Sequence, residues 1–132
     1  MSVVADTNIF LAVALDEPQK AAIVRATAGA DIAAPEILPY EIGNALTAMC
    51  KRKQINSQHV REIYAVTQRI PVRLVAVDIG SALRIALRFD IYAYDAYFLE
   101  CARTLSCPLM TLDRRMQQVA GESGIKTLEL PS

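Results

Sequence analysis

The feature that most constrains the fold of this chain is the alternation of short apolar runs with longer segments of helical periodicity. Each run is four to six residues long, which suits a buried strand. The predicted strands are Ser2–Ala5, Asp31–Ala34, Val72–Val77, Pro108–Leu112 and Lys126–Leu130. Strands that are apolar on both faces and separated by helices form parallel sheets covered on both sides. We therefore predict a three-layer α/β/α fold with a mainly parallel central sheet.

The helices between these strands are indicated by periodicity and by their termini. Pro39 can open a helix, and Ile42 and Leu46 follow it on one face. Ser57 and Asp78 are residue types that cap helices. The predicted helices are Thr7–Leu15, Pro18–Ala28, one opened by Pro39, one capped by Ser57, one from Asp78 to Phe89, Asp95–Leu105 and Asp113–Ala120.

Composition limits the class of protein. The 132 residues are 53% apolar and 21% charged, which excludes a disordered or disulfide-scaffolded chain. No linker or repeat divides them, so we predict a single domain over residues 1–132. Charge-free stretches are far shorter than the roughly 20 residues of a membrane span. The first residues also lack the features of a secretory signal. We expect a cytoplasmic protein with no membrane segment.

Cysteine and histidine usage argues against a zinc site. Cys50, Cys101 and Cys107 are an odd set without C-x-x-C spacing, and the only histidine, His59, lies far from the last two in sequence. We interpret the cysteines as reduced, buried small hydrophobes and His59 as a residue on a helix surface.

Four acidic residues lie where a parallel sheet places its ligands. Asp6 and Asp113 directly follow predicted strands, Glu41 is in the first turn after Pro39, and Asp95 begins a predicted helix. Ligands of open α/β sheets bind beyond the carboxyl ends of the strands. Each acid alone is explained by helix capping. Four converging carboxylates would repel one another unless they were protonated or held a cation. An oxygen-only site without His or Cys suits Mg²⁺, or Mn²⁺, better than Zn²⁺.

The segments around these acids are Val4-Ala5-Asp6-Thr7-Asn8, Tyr40 to Leu46, Tyr94 to Ala102 and Leu109 to Asp113. In order and spacing they resemble the PIN-domain ribonuclease family, and within it the VapC-type toxins. The resemblance implies that Asp6, Glu41, Asp95 and Asp113 form a catalytic quartet that holds Mg²⁺. Asp6 and Asp95 would ligate directly, and Glu41 and Asp113 would ligate or act through water. Asn8 and Thr111 match positions of polar residues that orient the acids, although both also suit turns.

The same resemblance implies the reaction and the partners. We expect a Mg²⁺-dependent endoribonuclease that leaves a 5′-phosphate and a 3′-hydroxyl. Metal-activated water would attack the phosphodiester in line, with Glu41 or Asp113 orienting or deprotonating it. The expected partners are the RNA substrate, a cognate antitoxin whose C-terminal segment covers the acidic site, and a second copy of the chain in a homodimer.

The charge distribution indicates how a neutral chain could hold RNA. Fourteen basic residues equal fourteen acidic ones, so binding of a polyanion must be local. Arg114 and Arg115, beside Asp113, are the candidate phosphate contacts, and Lys51–Lys53 is a second group that a helix C-terminus also explains. The aromatic residues near Asp95 could stack on bases or pack in the core; they are Tyr92, Tyr94, Tyr97 and Phe98.

Two alternatives remain open at this level. A signalling receiver domain has a similar length, a parallel sheet and Mg²⁺-binding acids, but it should carry paired acids after its first strand, where Thr7 follows Asp6. A PIN-like module that only binds RNA or protein would not need the acids. The sequence also leaves open a housekeeping RNA-processing nuclease of the same fold.

Overall fold

The computed structural model of the chain describes residues 1–130. Its strands are β1 (Ser2–Ala5), β2 (Asp31–Pro35), β3 (Arg73–Val75) and β4 (Leu109–Met110). Its helices are α1 (Thr7–Ala14), α2 (Lys20–Thr27), α3 (Leu38–Lys51), α4 (Ser57–Gln68), α5 (Ile79–Phe89), α6 (Ala93–Leu105) and α7 (Arg114–Glu122). Within this described part, no helix is long and apolar enough to cross a membrane.

The central sheet has four strands in the order β3-β2-β1-β4, and all neighbours are parallel. Val3, Val4 and Ala5 of β1 are all buried, so both faces of this strand are covered. Helix α6 packs on β1, β2 and β4, and α5 packs on α6. Helix α1 packs with α2, α3 and α4. The predicted α/β/α fold is confirmed. In the receiver fold, β1 lies between β2 and β3; here it lies between β2 and β4, which excludes that alternative.

The edges of the sheet differ most from the prediction. The strand predicted over Val72–Val77 is limited to Arg73–Val75, because β3 pairs on one side only and is largely exposed. The strand predicted over Lys126–Leu130 is wrong, since only one bridge, between Leu109 and Thr127, forms there. Strand β4 is just two residues long and offers too little edge for a longer pairing.

Several helix starts also differ from the prediction, and α2 begins at Lys20 and not at Pro18. Asn56, not Ser57, caps α4, and its side-chain oxygen accepts a hydrogen bond from the His59 N–H at 2.9 Å. Helix α6 starts at Ala93 with Tyr92 as the capping residue, so Asp95 lies within the first turn and does not begin the helix. An acid within the first turn is still favoured by the helix dipole.

The core is formed around β1 and the middle of α6. Phe98, Leu99 and Cys101 of α6 are buried, which places Phe98 in the core and not on the surface. Cys50 and Cys107 are only half-buried, and all three cysteines are free thiols. Tertiary packing thus separates residues that looked alike in sequence.

A buried carboxylate in α6 has no counterpart in the sequence analysis. The Glu100 side chain is 2% exposed and accepts two hydrogen bonds from Arg103, at 2.7 and 2.6 Å. The Thr104 hydroxyl donates a third at 3.2 Å. Glu100 is therefore a satisfied structural charge, and it stands apart from the acids predicted to act in catalysis.

Candidate active site

The candidate site lies where β1 and β4 end side by side. The backbone N–H of Asp6, directly after β1, donates a hydrogen bond to the carbonyl of Met110, the last residue of β4, at 2.9 Å. Asp113 follows three residues after Met110. The parallel pairing of the two strands therefore brings these two acids to one edge of the sheet.

Asp6 is held by three hydrogen-bond donors. It is 7% exposed, and its Oδ1 accepts the Thr7 N–H at 2.8 Å, so Asp6 caps α1. Its Oδ2 accepts the Thr111 hydroxyl at 2.7 Å and the Asn8 amide at 3.3 Å. Capping and a role in the site are thus compatible in this residue, because each uses a different oxygen.

Asn8 and Thr111 brace the two loops that carry Asp6 and Asp113. The Asn8 amide nitrogen also donates to the Thr111 hydroxyl at 3.3 Å, and its oxygen accepts the Leu112 N–H at 3.1 Å. The Thr111 hydroxyl accepts the Asp113 N–H at 3.1 Å. The positions of Asp6 and Asp113 are therefore coupled through one hydroxyl group.

Thr7 is a site residue that the sequence analysis missed. Its hydroxyl donates to Oε1 of Glu41 at 3.3 Å, while its N–H donates to Oδ1 of Asp6. Glu41 lies in the first turn of α3 and is half-buried. Thr7 therefore connects the first acid with the second. The only sequence signal was a hydroxyl residue directly after Asp6.

Asp95 and Asp113 complete the group from two helix starts. Asp95 is half-buried in the first turn of α6. Asp113 is exposed and caps α7 through its Oδ1, which accepts the N–H groups of Arg115 at 2.8 Å and Met116 at 3.1 Å. Both acids keep carboxylate oxygens without a protein donor in the described part of the chain.

The pKa values show that these carboxylates act on one another. Burial raises the pKa of Asp6 to about 6, with Asp95 and Asp113 raising it further and hydrogen bonds from Thr111 and Thr7 opposing the rise. Burial raises the pKa of Glu41 to about 7. The charges of Asp6 and Asp95 also raise this pKa, and the hydrogen bond from the Thr7 hydroxyl lowers it. Burial and the charge of Asp113 raise the pKa of Asp95. The four acids thus form one electrostatic group.

The donor chemistry of this group fits a hard divalent cation. Its side chains offer only carboxylate, hydroxyl and amide oxygens, which Mg²⁺ and Mn²⁺ prefer. Within residues 1–130, no three His, Cys, Asp or Glu side chains stand close enough together to enclose an ion. A bound cation would therefore require these carboxylates to move closer together, which its charge would favour. His59 is exposed on α4 and does not join them.

The basic residues differ in how well they could contact a phosphate near the acids. Arg115 is fixed, because its guanidinium donates to the Phe89 carbonyl at 2.8 Å and to the Gln118 side chain at 3.1 Å. Arg114 is exposed beside Asp113. Lys51–Lys53 lies at the far end of α3, ten residues and about 15 Å of helix from Glu41. Arg114 is the better placed of these for a phosphate near the acids.

Comparison with known proteins gives one family over most of the chain. The model of the PIN domain family matches residues 3–122. The chain is 27% identical over 115 residues to a VapC ribonuclease of Mycobacterium bovis, Mb0985, and to ribonuclease VapC9 of Mycobacterium tuberculosis. Each match covers 86% of this chain and 87% of the relative.

Solved structures share the fold at low sequence identity. PAE2754 from Pyrobaculum aerophilum has a TM-score of 0.68 at 20% identity, covering 90% of this chain and 79% of its own. VapBC2 from Rickettsia felis, bound to a DNA fragment from its promoter, has a TM-score of 0.63 at 15% sequence identity, and the match covers 98% of each chain. A toxin-antitoxin complex from Klebsiella pneumoniae has a TM-score of 0.58 at 17% sequence identity, and the match covers 98% of this chain and 99% of that chain.

Proposed function

Because this chain belongs to the PIN domain family, we propose that it is a metal-dependent endoribonuclease and the toxin of a toxin–antitoxin pair. The observation that carries the proposal is the electrostatic group of Asp6, Glu41, Asp95 and Asp113 at one edge of the sheet. Its like charges are costly in isolation and suit a site that handles a divalent cation and a phosphodiester. The curated relatives of similar length are named as ribonucleases.

Separate residues of the chain would bind the ion, position its ligands and accept a proton. Asp6 and Asp95 would hold the ion, with Asp113 as a further ligand from α7. Thr111 and Asn8 keep Oδ2 of Asp6 in place. Thr7 holds Oε1 of Glu41, which leaves Oε2 to accept a proton from an attacking water.

Mg²⁺ is the proposed ion, and Mn²⁺ would serve the same ligands. When bound, the ion lowers the pKa of water and offsets negative charge on the phosphoryl oxygens. Arg114 lies beside Asp113 and is the proposed phosphate contact, with Arg115 contributing only from its fixed position. RNA in the cytoplasm is the proposed substrate.

The proposal is tested with purified protein and total cellular RNA. Cleavage is followed with Mg²⁺ and with excess chelator, and the new 5′ ends are mapped. Asp6→Asn and Asp95→Asn should each lower the cleavage rate by at least about 100-fold, as removal of an electrostatic catalytic group does.

Asp16→Asn is the matched control. Asp16 is exposed beyond the far end of α1 and makes a surface ion pair with Lys20 at 3.4 Å. This variant should cleave at the parent rate. Retained cleavage in both Asp6→Asn and Asp95→Asn, or cleavage that is indifferent to the chelator, would refute the proposed site.

Two protein partners belong to the same proposal. The fold is shared with chains of VapBC2 and of a toxin-antitoxin complex, which supports a cognate antitoxin that covers the acids. Leu83 and Leu87 are 44% and 83% exposed, one turn apart on α5. An exposed apolar stripe of this kind supports a homodimer. A neighbouring reading frame whose product suppresses the cleavage would separate a toxin from a housekeeping nuclease.

A further inference from the structure

A pocket of about 210 Å³ opens at the same edge of the sheet as the acids. Its lining consists of Pro35, Glu36, Ile37, Val77, Ile79 and Tyr97. Pro35 is the last residue of β2 and pairs with Val75, the last residue of β3. The pocket therefore lies beyond the carboxyl ends of β2 and β3, while Asp6 lies beyond the end of the neighbouring β1.

Two of the lining residues are tied directly to acids of the site. The N–H of Glu41 donates to the carbonyl of Ile37 at 3.0 Å across the first turn of α3. Tyr97 follows Asp95 by two residues in α6. The pocket and the acids thus draw residues from the same helix beginnings, those of α3 and α6, at one edge of the sheet.

The size and chemistry of the pocket select its ligand. The volume is below the roughly 300–1,000 Å³ of pockets that hold a whole drug-sized ligand, so one planar ring system fits better than a complete nucleotide. The lining given above contains no Lys or Arg that would attract a phosphate. Apart from Tyr97 with its hydroxyl, Glu36 is the only lining residue with a polar side chain, and its carboxylate is an acceptor for N–H groups.

An aromatic pair connects the pocket with solvent. The half-buried ring of Tyr97 meets the ring of Tyr94 edge to face, with centroids 6.2 Å apart and planes at 86°. Tyr94 is 56% exposed. Packing therefore fixes one ring at the pocket, while the other offers part of its surface to an incoming base.

We propose that this pocket binds an unpaired guanine base of the RNA beside the cleaved phosphodiester; the proposal rests on the function given above. Guanine presents two adjacent donors on its Watson–Crick edge, N1–H and N2–H, to a single carboxylate. Glu36 accepts both, the apolar lining covers the ring, and Tyr94 stacks on a neighbouring base. A paired base cannot enter, because its edge is occupied.

Binding is measured separately from cleavage. The Asp6→Asn variant is titrated in Mg²⁺ against labelled hexauridine in which one position is G, C, A or U, and fluorescence anisotropy is recorded. The guanine probe should bind about tenfold more tightly than the others, as expected for a bidentate base contact. Glu36→Gln, made in the same background, should remove this preference, while Glu17→Gln at an exposed distant site should keep it.

The apolar and aromatic contributions are tested with a second pair of variants. Tyr94→Ala should weaken the binding of every unpaired probe by about tenfold, a typical loss of one stacked base. Ile79→Ala should weaken guanine binding, while Val24→Ala, which has similar exposure on α2, should not. No variant should alter the affinity for a duplex of equal length.

Two results would overturn the base pocket. One is equal affinity for all four probes, both in the Asp6→Asn variant and in the double variant that also carries Glu36→Gln. The other is an effect of Tyr94→Ala and Ile79→Ala on molecular mass by sedimentation, without an effect on RNA affinity, which would assign the pocket to protein docking. Cleavage by unsubstituted protein reports the proposed function independently of either result.

Discussion

At the scale of single residues, Asp6 combines the role of a helix cap with a place in the proposed site. One oxygen accepts the Thr7 N–H of α1, and the other accepts side-chain donors from Thr111 and Asn8. The acids and both bracing residues could be predicted from the sequence. The link from Thr7 to Glu41 could not, because the family resemblance gives Thr7 no role and the contact depends on how α1 packs against α3.

The Thr111 hydroxyl is the most connected group of the site. Thr111→Val should lower the free energy of unfolding by about 1–3 kcal/mol, since Oδ2 of Asp6 and the N–H of Asp113 both lose a partner. Urea denaturation measures the change. Thr111→Ser keeps the hydroxyl and should stay close to the parent; an equal loss in the two variants would show that the hydroxyl is unimportant.

The raised pKa values predict an unusual dependence of stability on pH. The folded pKa values of Asp6 and Glu41, about 6 and about 7, exceed their ordinary values of 3.8 and 4.5. The folded state therefore binds protons more tightly than the unfolded state does. The stability contributed by the protonated acids is complete below about pH 4 and is lost as pH rises through about 6 to 7.

In the presence of chelator, the thermal midpoint should accordingly fall by a few degrees between pH 5 and pH 7.5, as followed by circular dichroism. Asp6→Asn should flatten this fall, because an amide does not titrate, and Asp16→Asn should leave it unchanged. Adding Mg²⁺ or Mn²⁺ at pH 7.5 should raise the midpoint of the parent. A midpoint that rises with pH without metal would contradict the assignment.

At the scale of elements, the sequence predicted which segments are helices better than where they begin. Apolar periodicity identified α3 and α5, because burial of one face dominates their packing. The first turns depend instead on single side chains that compete for the same N–H groups. Asn56 and Ser57 are both capping types, and only the backbone conformation decides between them.

This competition can be measured with a matched pair of substitutions. Asn56→Ala should destabilise the protein by about 1 kcal/mol, because the His59 N–H loses its side-chain acceptor. Ser57→Ala should change the unfolding free energy by less than about 0.5 kcal/mol, as an exposed position inside the helix does. Equal losses in chemical denaturation would reject Asn56 as the cap.

At the scale of the whole molecule, the position of β1 decides the site. Between β2 and β4, it brings Asp6 beside the β4 loop on one side and beside the residues that follow β2 on the other. The acids and the pocket at Glu36 therefore occupy one continuous edge. A sheet with another strand order would have the same elements and would separate these groups.

The proposed homodimer is also a property at this scale. The molecular mass in solution should be twice that of the 14.5 kDa chain, measured by sedimentation equilibrium. Leu83→Glu or Leu87→Glu should shift the protein toward monomer, since an unpaired charge would be buried in the interface. Val24→Glu, on α2, is the control and should leave the dimer intact. A dimer that persists in both α5 variants would place the interface elsewhere.

The sequence by itself determined the kinds of elements, the parallel sheet and the acids at its carboxyl edge, because periodicity and the residues that follow strands are local properties. Only the tertiary structure decided the strand order, the short β3, the single bridge at Thr127, the burial of Glu100 and the pocket beside Glu41. These features depend on contacts between segments far apart in the chain. Their free energy comes from packing and desolvation, which local periodicity does not specify.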